Sequence, residues 1–117
     1  MTRNIKIAEI MGWELVDYLD PSLGKHWANK NGEYICDHLQ FRTYLPHAKL
    51  LQAKMVADGW HIVIAQHSPD CFSATAWKDI FEDKKYITEI EHYVQRANTE
   101  PAALVALFVK VYNIGGE

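Results

Sequence analysis

Residues 97–112 read ANTEPAALVALFVKVY, and between Ala102 and Tyr112 the only charged side chain is Lys110. The composition is helix-forming, and Asn98 or Thr99 is placed to cap its start. Glu100 suits the positive end, and Pro101 fits the first turn. A helix this apolar needs cover on more than one side. Leu104, Leu107, Phe108 and Val111 fall on one stripe, suited to packing on a sheet. Val105, Val109 and Tyr112 point elsewhere. Two covers fit them: the N-terminal segment with Ile5 and Ile7, or the same helix of a second subunit. In the second case the three residues form a homodimer interface, and two-fold dimers are the commonest oligomers.

The 117 residues correspond to one domain, 1–117, and hydrophobic residues at 49% support a single packed core. Twelve basic residues are outnumbered by 15 acidic ones, with no basic run, which disfavours duplex nucleic acid as a partner. No stretch approaches the ~20 apolar residues that cross a bilayer. The start, MTRNIKIAEIMGWE, has no apolar signal-like run. A cytoplasmic protein without a membrane partner is expected. Cys36 and Cys71 are not spaced as a zinc ribbon or a CxxC pair and read as two reduced thiols.

Along the chain, residues 2–11 form a short helix stopped by Gly12. WELVDYL, KHWA and EYIC are strand-like, separated by the DPSLG and NKNG turns. CDHLQFRTY has no period and is a loop. LPHAKLLQAKMVADG is the clearest helix, with Pro46 in its first turn, Leu50, Leu51, Met55 and Val56 as its stripe, and Gly59 as its stop. WHIVIAQH and CFSATAW form a hairpin around SPD. In that hairpin Trp60, Ile62 and Ile64 share one face, and His61, Val63 and Ala65 the other. Since neither face is wholly polar, cover on both is expected. YITEIEHYVQRA fits helical spacing and alternation equally well. Short hairpin connections predict an α+β fold in which helices pack on an antiparallel sheet.

IAEIMGWE, HWANKNGEY, MVADGW and ANTEPAALVALFVKVY occur in an order that resembles the phage ABA sandwich domain family, small proteins encoded in phages and prophages. The resemblance spans nearly the whole chain. It implies an α/β/α sandwich and favours a strand for 86–96; with the element order read above, the expected fold is an antiparallel sheet of about four to five strands with three helices. It implies no enzymatic activity, and no cofactor is assigned. The chain departs from the family at CDHLQFRTYLPH, which is longer than the segment usual before the middle helix. Site details there need not carry over.

That loop holds the most suggestive side chains. Arg42 can grip phosphate or carboxylate in a forked geometry. Phe41 and Tyr44 offer aromatic faces, and His38 a further donor. Such a set suits a small anionic aromatic ligand of the nucleotide kind. Phe41 also reads as an anchor of the loop to the core, and Arg42 as a solvated charge. Trp27 is a second aromatic candidate with the same two readings. His61 and His67 lie about 20 Å apart along a straight strand, too far to share a metal. Cys36, Asp37 and His38 are a compact donor cluster without a second set to complete a metal site, so no metal ligand is assigned. No phosphate loop and no serine elbow occurs.

Three functions follow as expectations. The first is a non-catalytic phage or prophage accessory protein in the cytoplasm of the bacterial host. It binds a ligand or a host protein, and in one version counters host defence by sequestering a nucleotide signal. The second is an interaction domain without a small ligand. The third is a small hydrolase dependent on Cys36 or a metal.

Overall fold

A computed structural model describes residues 3–82 and 85–114, which divide into two compact units. One holds the described residues through Gln40, with Ile114; the other is Phe41–Asn113. The fold is α+β, with three helices and two three-stranded antiparallel sheets. The sequence led us to expect one sheet of four to five strands. Which strands pair is decided by contacts distant in sequence, which local patterning does not encode.

The first unit opens with α1, Arg3–Ile10, followed by β1 Glu14–Asp17, β2 Lys25–Ala28 and β3 Tyr34–Cys36, paired in that order. The β1–β2 connection is a 3₁₀ turn, Pro21–Leu23, in which Asp20 Oδ1 accepts from both the N–H and the hydroxyl of Ser22. The β2–β3 connection is held by Asn29, whose Oδ1 accepts from the N–H groups of Asn31 and Glu33. Ile7, Ala8, Trp13, Trp27, Ala28 and Cys36 are buried.

The second unit comprises α2 Leu45–Ala57, β4 His61–Ser68, β5 Cys71–Glu82, β6 Lys85–Ala97 and α3 Glu100–Val111. Its sheet runs β4-β5-β6. Residues 86–96 are therefore strand, as the resemblance favours, because β5 supplies a ladder from Phe72↔Ala97 to Glu82↔Lys85. Helix α3 packs on β5 and β6, and α2 packs on β4 and α3. Ala74 and Ala76, in the middle of β5, are fully buried. Around them Leu51, Met55, Leu104, Leu107 and Phe108 fill the core. On α2 the buried stripe is His47, Ala48, Leu51 and Met55. Leu50 and Val56, expected in it, are exposed. The stripe is rotated because a histidine occupies an inward position that an apolar count overlooks. Val63 and Val94 are 48% and 47% exposed, so the sheet face they share is open at these positions, where cover was expected.

The two Gly-Trp pairs have the same structural role. Trp13 N–H bonds Ala8 C=O and Gly12 N–H bonds Glu9 C=O; Trp60 and Gly59 repeat this pattern with Met55 and Val56. Both are Schellman stops, in which glycine takes the left-handed residue (φ +81° and +98°) and the following tryptophan is buried. At the other end of a helix, Thr99 is the N-cap of α3 and its Oγ1 accepts the Ala102 N–H at 3.3 Å. Thr99→Ala should lower stability by about 1 kcal/mol in chemical denaturation, with Thr99→Ser close to the parent.

The apolar helix α3 is covered within the chain. Val105 is 1% exposed. Val109 and Tyr112 are half-buried, and the Tyr112 hydroxyl donates to Asp58 at the end of α2. Burial, with that bond, raises the Tyr112 phenol well above its usual range, and the same bond holds the Asp58 carboxyl below its own. Of the three residues for which a second subunit was one of two possible covers, Val105 is thus buried and Val109 and Tyr112 are half-buried. Among the described residues, no helix is long and apolar enough to cross a membrane.

Candidate functional site

The loop from Asp37 to Tyr44 links β3 to α2, and its side chains divide between core and surface. Phe41 is fully buried. Arg42, Thr43 and Tyr44 are exposed. His47, in the first turn of α2, is where the loop is pinned. Its ring lies 6.2 Å from that of Phe41, and 4.8 Å edge-on from that of Tyr44. Of the five ligand candidates, Phe41 and Tyr44 are therefore gathered around a histidine, with Arg42 between them in sequence. Phe41 takes the anchor role rather than offering a free face. Trp27 is buried on β2, and His38 is exposed in the first unit.

His47 is 8% exposed, its Nδ1 has no hydrogen-bond partner among the described residues, and burial pushes its pKa below the ordinary 6.5. A histidine with a depressed folded-state pKa stays neutral in the fold but takes up a proton on unfolding. Its contribution is complete above pH 6.5 and is lost as pH falls from 6.5 through the folded value. Denaturation midpoints should therefore drop on acidification below pH 6.5, and His47→Phe should flatten that slope. An unchanged slope in the variant would show that His47 does not cause it.

Beside this anchor lies a cleft of about 410 Å³ lined by Arg42, Thr43, Asn98, Thr99 and Ala102. The loop before α2 forms one wall and the start of α3 the other. The nearby acidic residue Glu100 pairs with Lys49 at 2.9 Å, which ties α2 to the first turn of α3. Among the described residues Arg42 has no ion-pair partner. The α3 terminus itself has little left to offer a ligand. Thr99 Oγ1 takes the Ala102 N–H, Thr99 C=O takes the Ala103 N–H, and Pro101 has no N–H. Binding capacity in the cleft thus rests on the Arg42 guanidinium, with the Thr43 hydroxyl and the Asn98 amide as further polar groups. The volume is in the range of small-molecule sites.

No protein family, curated protein or solved structure matches the chain. The site is therefore read from its own chemistry. Asn98 and Thr99 stand out in the sequence only as helix caps, and nothing local places them beside Arg42.

Other candidates are less suited to chemistry. Cys36 and Cys71 are free thiols. Burial and the neighbouring Asp37 carboxylate push the Cys36 thiol up, the opposite of what a nucleophilic thiolate needs. His61 stacks on Trp77 at 5.3 Å, and His67 Nε2 lies 2.9 Å from Ser73 Oγ. Among the described residues, no three His, Cys, Asp or Glu side chains are grouped to hold a metal ion.

Proposed function

We propose that the chain is a small non-catalytic binding protein whose Arg42 cleft holds the phosphate or carboxylate of a nucleotide-sized ligand. The observation that carries this reading is an arginine without an acidic partner, among the described residues, in the wall of a 410 Å³ cleft. Phe41 and His47 fix the loop, so Arg42 is presented from an anchored backbone, which lowers the ordering cost of binding. Tyr44, half exposed beside the anchor, supplies the remaining aromatic surface of that loop.

The wider setting belongs to the same proposal. The motif order supports a phage or prophage accessory protein with an α/β/α sandwich, acting in the cytoplasm of a bacterial host. There, sequestration of a nucleotide signal would counter host defence. The interaction-domain reading, including a homodimer through α3, loses its motivation because Val105 is covered within the chain. Burial and the Asp37 carboxylate raise the Cys36 thiol, which weighs against the Cys36 version of the hydrolase reading.

Equilibrium binding to a panel of mono-, di- and cyclic nucleotides tests the proposal. Saturable binding is expected, with the ligand recovered chemically unchanged. Turnover of any panel member would replace it with the hydrolase reading.

A further inference from the structure

A second cleft, of about 420 Å³, lies in the first unit and is lined by Tyr18, Leu23, Lys25, Asp37 and His38. Its walls are held by hydrogen bonds within the first unit. The Tyr18 N–H bonds Gly24 C=O across the base of the β1–β2 hairpin, and the Tyr18 hydroxyl donates to Asp37 Oδ1. The Tyr18 ring rests 4.6 Å from that of His26, which is followed at 5.4 Å by Tyr34. The Asp20–Ser22 bonds hold the 3₁₀ turn that presents Leu23, which is 67% exposed beside the cleft.

The charges here are mixed. Lys25 brings an ammonium whose carboxylate neighbour, Asp17, is at the long distance of 3.9 Å. Asp37 brings a carboxylate with Oδ1 taken by Tyr18 and, among the described residues, no donor on Oδ2. A simple anion attracted by Lys25 meets Asp37, and a simple cation attracted by Asp37 meets Lys25. A molecule carrying both charges, with an aliphatic arm, satisfies each group at once. We propose that this cleft binds a free α-amino acid with an aliphatic side chain, its carboxylate on Lys25, its ammonium on Asp37, and its side chain on Leu23. This site is built from first-unit residues and does not rest on the Arg42 reading.

The test is an amide chemical-shift titration of the full chain with L-leucine. Expected are saturable shifts at Tyr18, Leu23, Lys25, Asp37 and His38. N-acetyl-leucine lacks the ammonium and isopentylamine lacks the carboxylate, so each should bind on the order of tenfold more weakly. Glycine, without the aliphatic arm, should also lose affinity. Asp37→Asn and Lys25→Met should each weaken leucine to a similar degree. The analogue series on the parent protein is decisive even where a variant folds poorly. No saturable shift with leucine, shifts confined to other residues, or equal binding of leucine and its singly charged analogues would overturn the proposal.

Discussion

Phe41→Ala should cost about 3–5 kcal/mol of folding stability, the range for removing a buried aromatic side chain. Against a total of roughly 5–15 kcal/mol for a domain, this is a large fraction. The melting temperature should fall by on the order of 10 °C or more. The reason is placement. Phe41 is fully buried, and its ring faces His47 in the first turn of α2. Phe41→Leu keeps most of the apolar volume and should retain most of the stability. Denaturant unfolding of the two variants separates an anchor from a ligand-stacking ring. An anchor loses stability in proportion to volume removed. A stacking ring would leave the midpoint nearly unchanged and weaken only ligand binding.

Arg42→Ala should do the reverse. Arg42 is exposed, and among the described residues it has no ion-pair partner, so its removal should shift stability by no more than about 0.5 kcal/mol. Affinity for an anionic ligand should fall by ten- to a hundredfold, since a charge-assisted contact contributes about 1.5–3 kcal/mol. Arg42→Lys keeps the charge but loses the planar fork, and it should recover part of the affinity for phosphate. Isothermal titration with the parent and both variants orders the three proteins. If Arg42→Ala binds as tightly as the parent, the cleft is not the ligand site.

What could be read from the sequence follows the reach of each interaction. Gly12, Gly59 and Thr99 mark helix ends through bonds to residues no more than five positions away, Pro101 does so by its fixed φ in the first turn, and the expected boundaries correspond to the observed ones. The Asn29–Gly32 turn is local in the same sense. Residues 85–97 are different. Their apolar positions suit a helix and a strand alike, and the decision lies in a ladder with β5. The buried stripe of α2 was misplaced because His47 faces inward, where an apolar pattern expects leucine. The candidate site was half legible. Arg42 stands out by chemistry, and Phe41 carried both of its readings. Asn98 and Thr99 reach the same cleft only through the packing of α3 against α2. Lys25 and Asp37 likewise come together only through strand pairing in the first unit.

The most direct test of the central claim is native mass spectrometry of the parent protein and Arg42→Ala, each purified from the expressing host and then incubated with the nucleotide panel. The expected result is an added mass on the parent that denaturation releases intact, and its loss from the variant. Bare protein in both samples, or the same adduct on both, would contradict a ligand held at Arg42.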